Sequence, residues 1–171
     1  MARYNELVEI SVEATMRVRE AHVGDLAEVL NLMRRHAETE AYRDDFSLDE
    51  TALRLLGFGV GKPAYRLLVS ETLDGKINGY ALYFLQEFTF RNRPLLYLND
   101  LMVDERHRRK GVAAALIRAL YAEAWSLGCF RIKWGVASDN PDAIAFYENI
   151  GAQAEQNKLY FILDVPGSES N

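Results

Sequence analysis

Between Leu95 and Gly151 the chain runs through an order of segments that few folds accept. An apolar stretch ends Leu101-Met102-Val103, and a basic turn Arg108-Arg109-Lys110 closes on Gly111. An Ala- and Leu-rich stretch follows from Val112 to Leu127, and Asn140-Pro141 opens a last segment that ends at Gly151. Leu95 to Val103 reads as a strand. The stretch after Gly111, free of proline and meeting Gly128, reads as a helix with its stop signal. A glycine between strand and helix lets main-chain N–H groups approach a phosphate closely, and the helix N-terminus and nearby basic side chains favour the same anion. The turn therefore reads as a pyrophosphate cradle, although alone it also reads as a solvated basic loop capping a core helix.

The later segment narrows the choice. Asn140 is a good N-cap, Pro141 a good first helical residue, and Gly151 suits the helix end. Asn140, Ala143 and Tyr147 then share one face, with Ile150 a turn further on. For a single aromatic there, core packing is the better explanation.

Together the two segments resemble the GNAT superfamily of N-acetyltransferases. Its acetyl-coenzyme A signature, Gln/Arg-x-x-Gly-x-Gly/Ala, is matched by Arg108, Gly111 and Ala113, and the Asn and Tyr of its later helix by Asn140 and Tyr147. The resemblance implies a mixed α/β fold, with a central, mostly antiparallel sheet splayed at the cofactor site and flanked by helices. It implies acetyl-coenzyme A as cosubstrate, contacted by Leu101, Met102 and Val103 at the strand edge. Arg108, Arg109, Lys110, Gly111, Val112, Ala113 and Ala114 would form the cradle, with Asn140 and Ala143 contributing from the later helix.

Acetyl transfer to an amine sets three requirements. A main-chain N–H near Met102 or Val103 would stabilise the oxyanion. Tyr147 matches the tyrosine that the family uses as general acid toward the departing thiolate. The amine must also shed a proton: at a lysine-like pKa only about one molecule in a few thousand is neutral at pH 7, a cost of about 4.6 kcal/mol. Asp100 is the nominee for acceptor binding or proton removal, and a structural hydrogen-bonding role fits it equally. The sole thiol, Cys129, sits past a helix end beside Phe130, which favours direct transfer in a ternary complex over an acetyl-enzyme.

Within the superfamily the chain looks most like the diamine and polyamine acetyltransferases, relatives of the spermidine/spermine and thialysine enzymes. That resemblance implies a small, cationic primary amine as acceptor. Two departures stand out: Asn99-Asp100 replaces the common Glu-Asp, leaving Asp100 or another carboxylate such as Glu87 to serve, and Lys158 stands about where a tryptophan is common. A protein or peptide amine is the alternative acceptor, and a catalytically weak acetyl-coenzyme A-binding module the alternative class. Glu38, Glu40, Asp44, Asp45, Asp49 and Glu50 read either as a wall for a polycation or as a solvated surface.

Composition excludes several other classes. With 171 residues, 49% of them hydrophobic, the chain can bury one proper core, so residues 1–171 are expected to form one domain, with 1–14 an extension and 166–171 a frayed tail. One cysteine allows no internal disulfide, no stretch suits a membrane span, and the start is not signal-like, which points to the cytoplasm. A net charge of −5 argues against nucleic acid, and the basic run from Arg106 to Lys110 lacks interleaved aromatics. His22, His36 and His107 are scattered, so no metal is expected. Gly57-Phe58-Gly59-Val60-Gly61-Lys62-Pro63 imitates a phosphate loop, but Leu56 and Pro63 stand where Gly and Ser/Thr are required. It could border the acceptor site.

The remaining expectations are a strand over Thr15 to Arg19 and a helix over Val23 to Ala37 burying Leu26, Val29, Leu30 and Met33. Ser47 and Glu50 form a capping-box pattern for a second helix ending near Gly57. Strands over Tyr65 to Thr72 and Ile77 to Phe90 join through Asp74-Gly75, with further strands over Arg131 to Val136 and Leu159 to Val165. The last strands could pair between chains in a homodimer, the state that many GNAT relatives adopt.

Overall fold

The computed structural model describes residues 16–39, 46–156, 158–161 and 163. It divides into two compact units, the first ending at Trp134 and the second beginning at Gly135. The first unit carries β1 (Met16–Glu20), α1 (Leu26–Thr39), α2 (Glu50–Phe58), β2 (Arg66–Thr72), β3 (Ile77–Phe88), β4 (Arg93–Val103), α3 (Val112–Ser126) and β5 (Ile132–Lys133). Short 3-10 turns at Val23–Asp25, Thr89–Arg91 and Glu105–His107 join them. The second unit carries α4 (Pro141–Asn149).

The five strands form one sheet in sequence order, antiparallel from β1 to β4 and parallel at the β4–β5 junction. The Asp74-Gly75 hairpin forms as expected: Gly75 takes φ +82°, and its N–H donates to the Thr72 carbonyl at 2.9 Å. Period-two alternation gives the sheet two apolar faces. Tyr65, Leu67, Val69, Tyr80, Leu82 and Met102 pack with Leu26, Val29, Leu30 and Met33 of α1 and Leu53 of α2 in one buried cluster. Burying each such side chain contributes about 1.5–3 kcal/mol.

The opposite face carries α3 on Gly79. A Cβ built there would lie 2.9 Å from the Met102 carbonyl oxygen, 3.0 Å from Val112 Cγ1 and 3.3 Å from Leu116 Cδ1. Val112 and Leu116 can hardly retreat, being 1% and 0% exposed. Gly79→Ala is therefore expected to destabilise the fold by about 1–3 kcal/mol, as overpacking does. A urea-denaturation midpoint unchanged from wild type would refute this seat for α3.

β4 contains a bulge. Leu82 pairs with Asp100 but Tyr83 pairs with Leu98, so Asn99 is the extra residue. In a regular strand Leu98 and Asp100 would share a face; the bulge sends them to opposite faces and turns Asp100 toward α1 and α2.

At the start of α1, Arg19 grips Asp25 through two bonds of 2.7 and 2.9 Å and Glu71 through one of 2.6 Å. Burial opposes ionisation of Asp25. The Arg19 guanidinium and the His22 amide outweigh it and hold the carboxyl below its usual range.

Four sequence expectations need correction. The cap of α2 is Asp49, whose Oδ1 accepts from Ala52 N–H at 2.7 Å; it directly precedes the helix and brings a charge to the positive end, which Ser47 does not. β3 stops at Phe88, because Asn92 at φ +49° closes a tight turn before β4. β5 covers only Ile132–Lys133 rather than Arg131 to Val136, since its ladder with β4 ends where β4 approaches its bulge. Leu159, Tyr160, Phe161 and Leu163 belong to no strand and are 73–93% exposed. Ile162, Asp164 and Val165 of that expected strand lie outside the described residues. The expected extension at 1–14 and tail at 166–171 lie outside the described residues. No helix among the described residues is long and apolar enough to cross a membrane.

Candidate active site

In the first unit, the C-terminal half of β4 and the turn into α3 bring most of the nominated residues together. β5 pairs with β4 only at Leu96 and Tyr97, whereas β4 runs on to Val103. Asp100, Leu101, Met102 and Val103 thus follow the last residue that β5 covers.

The next residues form the turn nominated as the cradle. Asp104 Oδ1 accepts from Arg106 N–H at 3.0 Å and caps the Glu105–His107 turn. Arg108 is extended, Arg109 takes φ +59° and Gly111 takes φ +82°. A non-glycine residue at positive φ is uncommon, and such strain gathers at functional turns.

Gly111 is the N-cap of α3 and offers no side chain to its first amides. The N–H groups of Val112, Ala113 and Ala114 are therefore those a helix leaves without an internal partner. The first turn holds no acidic residue to repel an anion. Arg109 and Lys110 are exposed, with no ion-pair partner among the described residues. Arg108 bends back instead, its Nη2 3.9 Å from Glu105 Oε1. An uncapped helix start beside unopposed cations suits a diphosphate.

Asp100 is half-buried and accepts from Asn99 Nδ2 at 3.0 Å. Burial first, and then the charge of Asp100, push the Tyr80 phenol far up, so it stays protonated. Tyr80 Oη lies 3.5 Å from His36 Nδ1 of α1. Tyr80 and His36 went unsuspected in the sequence, because only strand register brings Tyr80 opposite Met102. Glu87 pairs with Pro94, six strand positions from Asp100 and thus about 20 Å away at the usual rise.

Other candidates have structural employment. Asp49 caps α2, and Glu50 pairs with Arg54 at 3.1 Å. Glu40, Asp44 and Asp45 lie outside the described residues. Gly57, Phe58 and Pro63 border a cleft of about 310 Å³ shared with Glu20, Tyr65 and Tyr83. Burial, with a smaller contribution from Glu123, pushes up the half-buried Cys129 thiol, which makes it a poor nucleophile at neutral pH.

In the second unit, Asn140 Oδ1 accepts from Ala143 N–H at 3.1 Å, and Pro141 opens α4 as expected. The cap leaves the amide NH2 of Asn140 as a donor. Tyr147 lies one turn from Ala143, is half-buried, and has its ring 5.2 Å from that of Phe146. Burial raises its phenol pKa.

Comparison with known proteins bears on the family and the fold. The model of the acetyltransferase (GNAT) family matches residues 26–152. Thialysine N-epsilon-acetyltransferase of Bos taurus is 33% identical over 147 residues, which are 82% of this chain and 85% of the relative. Spermidine/spermine N(1)-acetyltransferase-like protein 1 of Homo sapiens is 28% identical over 142 residues, 80% of this chain and 20% of the relative. Both names fall in the branch that the sequence resembles. The fold is similar to that of an aminoglycoside acetyltransferase from an uncultured soil metagenomic sample, with a TM-score of 0.76 at 20% identity over 91% of this chain and 99% of that one. The chain belongs to the acetyltransferase (GNAT) family and is an acetyl-transferring enzyme.

Proposed function

We propose that this enzyme moves the acetyl group of acetyl-coenzyme A to a primary amine of a small cationic acceptor, of diamine or polyamine type, by direct attack in a ternary complex. The observation that carries the cosubstrate is the uncapped start of α3 after Gly111, next to a β4 edge that β5 leaves uncovered. When bound, acetyl-coenzyme A supplies an acetyl thioester as electrophile. The open amides of Val112, Ala113 and Ala114 would hold the diphosphate, and a main-chain N–H at Met102 or Val103 would donate to the carbonyl oxygen as negative charge develops on it.

Asp100 takes the amine proton, directly or through water, since Asn99 cannot and Glu87 lies far along the hairpin. Tyr147 gives a proton to the thiolate, and Asn140 and Ala143 hold the cosubstrate from α4. The raised thiol pKa of Cys129 speaks for direct transfer. The names of the thialysine and spermidine/spermine relatives support an amine on a cationic molecule.

The test is an amine-library screen with acetyl-coenzyme A, read by thiol release. Turnover with diamines or polyamines and intersecting double-reciprocal plots are expected. Turnover on peptides alone would replace the acceptor class, and parallel plots would overturn direct transfer.

The same reading carries a cytoplasmic, single-domain homodimer. Exposed Leu159, Tyr160, Phe161 and Leu163 are the apolar surface that would join the copies. Sedimentation is expected to give twice the chain mass, and Tyr160→Lys with Phe161→Lys is expected to halve it; a wild-type monomer would refute the dimer.

A further inference from the structure

We infer that Arg35 of α1 is a positioning residue for the cofactor cradle, acting through Asp104. The inference rests on the cosubstrate reading of the Gly111 turn.

Asp104 is the first residue after β4 and the hinge between sheet and cradle. Its main-chain N–H donates to the Asn78 carbonyl at 2.9 Å, and its own carbonyl accepts from His107 N–H at 2.8 Å. Its Oδ1 caps the turn at Arg106, while Oδ2 pairs with Arg35 Nη1 at 2.8 Å. His107 Nδ1 stands 3.6 Å from Oδ1. Four of these ties run to the adjacent strand or stay within the turn. The Arg35 pair alone reaches a separate element, the helix whose apolar face is sealed on the sheet.

The pair is unevenly exposed, with the Asp104 side chain at 14% and that of Arg35 at 51%. An ion pair this close to solvent adds little to global stability. Its leverage is local. Burial opposes ionisation of Asp104, but the Arg106 amide and the Arg35 guanidinium outweigh it, so the carboxylate persists through the neutral range. With Arg35 holding Oδ2, Oδ1 stays aimed at the Arg106 amide, and the following turn enters the left-handed Arg109 and Gly111 conformations already ordered. A cradle ordered before binding does not spend binding free energy on ordering.

The experiment titrates coenzyme A by calorimetry, and acetyl-coenzyme A in steady state, into wild type, Arg35→Ala, Arg35→Lys, Asp104→Asn and the double variant Arg35→Ala/Asp104→Asn. Asp104→Asn keeps an oxygen for the Arg106 cap while losing the charge. Each disruptive single change is expected to raise the coenzyme Kd and the KM for acetyl-coenzyme A about 3- to 10-fold, within the range of coupled neighbours. The KM for amine and kcat should stay within about twofold, Arg35→Lys should recover most of the loss, and the double variant should be no worse than the weaker single one. Unchanged coenzyme affinity in Arg35→Ala, multiplying effects in the double variant, or an equal rise in the KM for amine would overturn the inference. Wild type that takes up no coenzyme A would instead sink the cosubstrate reading itself, and the inference with it.

Discussion

Tyr147→Phe is expected to lower kcat by about 10²- to 10⁴-fold, the usual worth of a positioned proton donor, while the Kd for coenzyme A changes by less than about threefold. The substitution removes one oxygen and keeps the ring. The 5.2 Å contact with Phe146 and the packing of α4 therefore survive. What is lost is the proton, and burial raises the phenol pKa and so keeps that proton in place at neutral pH. The sign follows: activity that needs the protonated phenol is retained through pH 10, the ordinary tyrosine value, and is lost only at still higher pH. Thiol-release turnover measured alongside calorimetry separates the roles. Unchanged kcat would remove Tyr147 from the chemistry, whereas kcat and coenzyme affinity falling together would make it a packing residue.

Local chemistry made much of this legible in the sequence. The buried stripe of α1, the Asp74-Gly75 hairpin and the Asn140-Pro141 start of α4 each depend on neighbours within a turn or two, and each forms where the pattern places it. The turn through Gly111 belongs to the same class, because a strand, a glycine and a helix start are contiguous. What stayed hidden depends on pairs distant in the chain. The bulge at Asn99 is a property of β4 against β3, and nothing in Leu98-Asn99-Asp100 announces that Asp100 turns to the α1 face. Tyr80 beside His36, and Arg35 on Asp104, join residues that only the folded sheet brings together. The overlong strand has a physical cause. Arg131 to Val136 has the composition of a longer strand, but a ladder needs a partner as well as a propensity, and β4 pairs only with Ile132 and Lys133.

Gly111→Val is expected to lower coenzyme A affinity by at least about 100-fold, and two separable effects combine to produce this. At φ +82° an L side chain costs about 1–2 kcal/mol of backbone strain. A β-branched residue also fills the space from which a diphosphate would approach the amides of Val112 to Ala114. Gly128 separates the two effects, since it takes φ +69° past the end of α3 and a Cβ there would meet nothing within 4 Å. Gly128→Ala should therefore lower the melting temperature by a few degrees and leave coenzyme affinity unchanged, whereas Gly111→Ala should lower both and Gly111→Val more so. If Gly128→Ala weakened coenzyme binding as much as Gly111→Ala, strain transmitted through α3 would explain the loss. The cradle would then have no claim to the diphosphate.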